Sequence, residues 1–289
     1  MAKVFNEIKN IFRFEDQLKL VFSSDYKKVT TVKEVLNDPT MRNWEICCFE
    51  GETIELEELK LIMDMATPDI IFYCYANECP IDFTHENAFK FANCYYKDAR
   101  WVKVEDLFKM NKCYTAILGR NSLTQTDFKK FFEYWVNSEI DMFFRLEIET
   151  EEVLDPTEML DGLTLLYIEQ RDTCFTKVKS SGSRDNTVLF FSYTPNYLHL
   201  EAWPPGEFFS LVGKELDEAI NKKHWVIDSL IEKKRLEEQW ESTDSEKKKQ
   251  KYSKRLRQLD DEIKDYGVFF VDGKATMRDP YSEHLVHIL

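Results

Sequence analysis

Glycine is scarce in this chain, at eight of 289 residues, where an average share of about 7% would give roughly twenty. Phosphate cradles need glycine where backbone approaches the ligand, and neither G-x-G-x-x-G nor G-x-x-x-x-G-K-[ST] occurs. That disfavours nucleotide-binding folds. Long apolar runs are missing as well. Nothing approaches the roughly 18 consecutive apolar residues of a membrane-spanning helix, so no span is expected. The opening M-A-K-V-F-N-E-I-K-N is charged too early for a secretory leader. Histidines number five. His284 and His287 share E-H-L-V-H, but an i, i+3 pair supplies two ligands where zinc takes about four. Cys74 and Cys79 form C-x4-C with no second pair at finger-like distance, and core packing explains them. No metal or cofactor is expected.

What is present points to a globular chain with a sizeable core: 43% apolar and 14% aromatic residues. The formal charge is −14, from 39 Lys and Arg against 53 Asp and Glu. Such an excess of acid repels phosphate backbones and anionic lipid, so neither nucleic acid nor membrane is an expected partner. Seven cysteines, an odd number at irregular spacing, argue against a disulfide framework and for reduced core thiols in the cytoplasm or nucleus. Cys174 and His199 fall on adjacent strand candidates, but nothing in the sequence activates them as nucleophile and base. The carboxylate pairs Glu151-Glu152 and Asp260-Asp261 read as solvated surface. So does the basic run Lys247-Lys248-Lys249 with Lys251, Lys254, Arg255 and Arg257, set against Glu237, Glu238 and Glu241.

Periodicity orders the chain. Thr124 and Asp127 form a capping box, and Phe128, Phe131, Phe132, Trp135 and Val136 then fall on one face of a helix over Thr124–Val136. Further helices are predicted over Leu56–Ala66, Thr84–Phe91 and Val102–Met110. Strands are predicted over Trp44–Phe49, Ile70–Tyr75, Asn93–Lys97, Cys113–Leu118 and Phe143–Ile148. The markers Ile46, Ile70, Cys94, Tyr114 and Phe143 step by 24, 24, 20 and 29 residues, the period range of a leucine-rich-repeat-like curved β–α array. A doubly wound sheet is the alternative.

Residues 1–43 read as a helical segment, with Phe5, Ile8, Ile11, Phe12 and Leu18 at helical intervals. Residues 44–206 form the α/β domain. In it a capped helix starts at Asp155-Pro156, with Glu158 completing the box. A short antiparallel β meander follows: Cys174–Lys179, Thr187–Tyr193 and Tyr197–Trp203. Residues 207–266 form a helical hairpin, coiled-coil-like. One seam runs through Phe209, Val212, Leu216, Ile220, Lys223, Ile227 and Leu230, the other through Tyr252, Leu256, Leu259, Ile263 and Tyr266. Such a hairpin is expected to need a partner surface. Residues 267–289 hold a β-hairpin turning at Asp272-Gly273, then a tail. The fold class is therefore α/β, the array being followed by the meander and the hairpin.

The order of motifs resembles a known family. Trp101, Glu105, Asp106 and Leu107 are followed by Ser122, Leu123, Thr124, Asp127, Phe128, Phe131, Phe132 and Trp135, then by Leu146, Glu147 and Ile148, then by Gly162. This series is similar to the F-box-associated type 2 domain of the large nematode F-box families, over about Trp44 to Trp203, and Leu198–Trp203 fits its far end. The resemblance implies a non-enzymatic module that holds a protein substrate, while an F-box docks on the Skp adaptor of a cullin-based ubiquitin ligase. The usual F-box opening, Leu-Pro before a Leu-rich helix and a Leu-Cys-Ser run, is absent from Met1–Asn43. Direct recruitment of a Skp-type adaptor is therefore not expected. A free-standing binding or decoy module, or an enzyme with a closed pocket, are the alternatives.

Strand parity then names a candidate binding face. With Phe144, Leu146 and Ile148 inward, Arg145, Glu147 and Glu149 point out. The same alternation exposes Glu45, Cys47 and Phe49, then Tyr73 and Tyr75, then Tyr95 and Lys97. The expected contact residues are Glu45, Phe49, Tyr73, Tyr75, Tyr95, Lys97, Arg145 and Glu147, since aromatics and Arg dominate binding hot spots.

Overall fold

The structure is a computed structural model that describes residues 19–23, 32–37, 44–151, 153–179, 182, 184–205 and 214–278. Most of the expected 1–43 helical segment lies outside the described residues, as do Glu152, Phe209, Val212, the Leu216 side chain, His284 and His287. The chain divides into two compact units. The first takes residues 1–135, 140–159 and 195–199, and the second takes 136–139, 160–194 and 200–289. This division falls inside the expected 44–206 domain rather than at its end.

In the first unit the elements run β1 (Lys19–Ser23), α1 (Val32–Asn37), β2 (Ile46–Glu50), α2 (Leu56–Asp64), β3 (Ile71–Cys74), β4 (Asn93–Asp98), α3 (Val104–Leu107), β5 (Cys113–Arg120), α4 (Gln125–Asn137), β6 (Phe143–Glu149) and α5 (Pro156–Met159). Strands β1 to β6 lie side by side in chain order, every pair parallel. No reversal of order occurs among them, which rules out the doubly wound alternative, whose order must switch. β1 corrects the helical expectation at Lys19–Ser23. The sequence K-L-V-F-S pairs in register with Ile46–Glu50, and ladder pairing decides the conformation of so short an apolar run.

One face of this sheet is packed with large side chains. Cys47, Phe72, Cys94, Ala116 and Leu146 are aligned across the strands, and all five are buried. Tyr96, on the same side, meets the ring of Phe72 at 5.7 Å and that of Trp101 at 5.2 Å. Its hydroxyl donates to the Ala88 carbonyl and lies 3.7 Å from Met63 Sδ of α2. Helix α4 starts as the sequence indicates. Thr124 N–H donates to Asp127 at 3.0 Å, and Asp127 N–H donates back to the Thr124 hydroxyl at 3.3 Å. Its Phe128, Phe131, Phe132, Trp135 and Val136 are all buried.

Two expected helices come out differently. Thr84–Phe91 is a series of turns instead of a helix. Phe83 and Phe89 must both reach Trp101, at 4.8 and 6.4 Å, and Asn87 spends its side-chain amide on the Met63 carbonyl. Tertiary contacts thus outbid helix propensity there. α5 begins at Pro156 and Asp155 accepts from Thr157 N–H at 2.8 Å. Its capping box is not closed by Glu158, because Gln125 intervenes. The Gln125 amide accepts from Asp155 N–H and donates to Glu158, each at 2.6 Å.

The second unit contains β7 (Leu166–Ile168), β8 (Thr173–Lys177), β9 (Val188–Thr194) and all but the first three residues of β10 (Tyr197–Trp203). It also holds α6 (Lys214–Ser242), α7 (Glu246–Asp265), β11 (Val268–Val271) and β12 (Lys274–Met277). The strand pairs β7–β8 and β8–β9 are antiparallel. Phe175, Phe190 and Trp203 stack within 5.8 Å of one another. β11 and β12 turn through Asp272 and Gly273, at φ of 49° and 78°. Two left-handed residues in a row give the turn that matches strand twist, and Asp-Gly supplies them at low cost.

Helices α6 and α7 form the expected hairpin, crossed by Arg255 to Glu232 at 2.8 Å and Lys233 to Asp260 at 2.5 Å. Ile220, Ile227, Leu230, Leu259 and Ile263 are buried. The partner surface that the seam needs is found within the unit, on its own strands. Lys223 lies 5.2 Å from the centre of the Phe175 ring, and Lys177 of β8 pairs with Asp228 at 2.7 Å. Placing a carboxylate at Leu259, which is fully buried, strands a charge in an apolar site. Leu259→Asp is expected to lower the unfolding free energy in urea by about 3 kcal/mol or more, and Leu256→Asp, half-buried, by clearly less. Equal midpoints for Leu259→Asp and wild type would refute the packing.

Candidate protein-binding face

Opposite the packed layer, the first unit presents a half-exposed sheet face. In β3, Phe72 and Cys74 are fully buried while Ile71 and Tyr73 are half-buried. The register aligns Cys48, Tyr73, Tyr95, Ile117 and Glu147 across five strands; the middle three are half-buried, and Cys48 and Glu147 at the two ends are buried. Tyr75, just past the end of β3, is 41% exposed. Its ring lies 6.0 Å from that of Tyr73 and 5.1 Å from that of Tyr95. Partial burial raises the phenol pKa of Tyr75 and Tyr95, so both present neutral hydroxyls at neutral pH.

Glu147 is the charged centre of the face. Arg145 and the Tyr197 hydroxyl bond its carboxylate, and His199 Nδ1 lies 3.4 Å away. Burial alone would raise this carboxyl. The hydrogen bond to His199 and the charge of Arg145 outweigh that and hold it below the usual range.

Five of the eight expected residues, Tyr73, Tyr75, Tyr95, Arg145 and Glu147, fall on this face, and Lys97 extends it at the strand ends. There Lys97 is exposed and donates to Asn77 Oδ1 at 2.5 Å. Glu147 is buried to 7% exposure and is engaged rather than free. The β2 assignments are corrected. Phe49 and Cys47 are buried at 5% and 0% exposure, and Cys48, which the register puts beside Tyr73, is buried at 0% as well. In I-C-C-F-E both parities are buried, so alternation has no wet side to mark in this strand. Glu45 is exposed but precedes the strand, on the wall of a separate cavity of about 640 Å³ shared with Trp44, Asp64 and Ile70.

Phe144 is buried beside a local irregularity of the neighbouring strand. Tyr114 and Thr115 both donate N–H to the Ala92 carbonyl, at 2.8 and 3.1 Å, which marks a β-bulge that shifts side-chain parity. Phe144 stacks on Tyr114 at 5.0 Å, and Tyr114 is 56% exposed. Phe144 is itself buried at 8% exposure, as alternation expects, with the exposed tyrosine ring lying over it. Sequence reasoning also missed Tyr197 and His199 as partners of Glu147. Their half-buried places in the otherwise buried strand β10 were the available signal. Cys174 and His199 are not poised for catalysis: burial pushes the Cys174 thiol up, and His199 serves Glu147.

An ionic cluster fixes the strand ends beside the face. Asp98, 1% exposed, accepts from Arg100 Nε and Nη2 at 2.8 Å and from Cys79 N–H at 2.9 Å, with Arg120 at 3.3 Å. Close by, Gly119 faces the backbone of β4, where an added Cβ would stand 2.5 Å from the Lys97 carbonyl oxygen. Only glycine fits there.

Residues 83–148 match the family model described as F-box associated. That span contains the Trp101, Thr124–Trp135 and Leu146–Ile148 motifs, and it relates the chain to the type 2 F-box associated domains, a protein-interaction family. No curated protein and no solved structure matches the chain. Among the described residues no helix is long and apolar enough to cross a membrane. Nor does any group of three or more His, Cys, Asp or Glu there stand placed to hold a metal ion.

Burial alone would raise the Asp98 carboxyl. Arg100 and the Cys79 N–H override that and bring it to about 2, from an ordinary 3.8. A folded-state pKa below the unfolded one gives stability that is complete above the unfolded value and lost as pH falls through the folded one. Asp98→Asn is therefore expected to cost roughly 1–3 kcal/mol at neutral pH, with the gap to wild type closing toward pH about 2. Urea unfolding at both pH values checks this; a gap independent of pH would contradict it.

Proposed function

We propose that this chain is a non-enzymatic protein-interaction module. Its parallel strands act as a leucine-rich-repeat-like curved array, and the face around Tyr73, Tyr75 and Tyr95 holds a protein partner. The grouping of these three rings on a half-exposed sheet face is the observation that carries the reading. Rigid aromatic rings give large contact area at small entropic cost, which is why they dominate binding hot spots. The buried Arg145–Glu147 pair fixes the floor beside them. The match over residues 83–148 supports protein binding as the role, and relation to F-box proteins favours substrate holding for a ubiquitin ligase.

A second reading is a free-standing binding or decoy module working without ubiquitin machinery. An enzyme is the weakest reading.

Affinity capture with mass spectrometry, comparing wild type with a Tyr73→Ala, Tyr75→Ala, Tyr95→Ala variant of unchanged melting temperature, tests the face. Partners held there are expected to fall about tenfold or more in the variant. Recovery of a Skp-type adaptor with wild type would select the ligase reading, and its absence the free-standing one. An identical partner profile from the variant would reject the tyrosine face.

A further inference from the structure

Cys74 closes β3, and Cys79 follows after Tyr75-Ala76-Asn77-Glu78. Their sulfur atoms lie 3.8 Å apart in S–H···S contact, and the side chains are 0% and 7% exposed. The backbone joining them is held at several points. Tyr75, Asn77 and Glu78 N–H donate to the carbonyls of Phe49, Gly51 and Glu52 at 2.8, 3.1 and 2.9 Å. Cys79 N–H is bound by Asp98. A loop fixed in this way keeps the two sulfurs facing each other. Small rotations of the two side chains are then what separates contact from a bond of about 2.05 Å.

We infer that Cys74 and Cys79 are a redox modification site that a peroxide converts to a disulfide. The Sγ–Sγ bond forms and the O–O bond of the peroxide breaks. Two thiols are oxidised by two electrons in total, and both thiol protons leave in the two molecules of water made from hydrogen peroxide. The S–H···S contact with Cys79 lowers the Cys74 thiol and so favours its thiolate, the form that reacts with peroxide.

The remaining cysteines lack this combination. Burial pushes the Cys47 and Cys174 thiols up. Burial likewise raises Cys48 and Cys94; Cys94 and Cys113 also share a side-chain hydrogen bond, but it raises Cys94 further, and Cys113 turns its S–H toward the Ala92 carbonyl at 3.9 Å. The bond would also lock the segment carrying Tyr75 and Asn77, where Lys97 and Arg120 are anchored.

Trypsin supplies a clean readout, because the fragment Leu61–Lys90 contains Cys74 and Cys79 and no other cysteine. The folded full chain is exposed to hydrogen peroxide, quenched, unfolded, alkylated and digested. The fragment is expected to carry no alkyl group and to weigh two hydrogens less, and to regain two alkyl groups after reduction. The other five cysteines stay alkylated, and Cys79→Ser abolishes the bond. Four results would each overturn the assignment: a fragment still doubly alkylated, sulfinic or sulfonic acid in place of the bond, a disulfide from either cysteine to a third, or a bond that forms only after the circular dichroism of the folded chain is lost.

Discussion

Burial on one face of the first unit's sheet is the constraint from which the rest follows. Strands running parallel in chain order need a crossover at every step. Where α2 and α4 provide it, their apolar stripes pack on the Phe72–Tyr96 side. Turns provide it between β3 and β4, packing Phe83, Phe89 and Phe91 onto Trp101 and Phe72. With the bulky aromatics gathered there, the other face keeps side chains that are half in water. Its tyrosines are exposed because their sequence neighbours are not.

Charge is used sparingly in this frame, and where it is buried it is matched. Asp98 and Glu147 stand at two places on the same six strands, each with an arginine two residues away along its own strand or just beyond it. An unpaired carboxylate in either place would be costly, whereas a paired one fixes geometry. Asp98 holds the loop that carries Cys79 against the end of β4. Glu147 gathers Arg145, Tyr197 and His199 around one carboxylate. The sequence-wide acidic excess is carried by other residues, spread over exposed helix faces and loops.

The large elements were legible in the sequence wherever one period dominated. The five strand cores from β2 to β6, the α4 stripe with its capping box, the α6–α7 hairpin and the Asp272-Gly273 turn all follow from pattern and turn chemistry. Failures share a different cause. Thr84–Phe91 has helix-like composition, yet its aromatics answer to Trp101, a contact no local window contains. The parity of β2 was invisible because I-C-C-F-E offers apolar residues on both sides. For the candidate site, the tyrosines were found by alternation, while Tyr197 and His199 were missed because they reach Glu147 from about fifty residues downstream.

Hydroxyl-radical footprinting of the isolated, folded chain tests this one-sided arrangement most directly, since adjacent residues report on opposite faces. Oxidation is expected at Tyr75, Tyr95 and Tyr114, with Tyr96 and Trp101 protected until the chain is unfolded. Equal protection of Tyr95 and Tyr96, or reaction of Tyr96 ahead of Tyr95, would contradict the account.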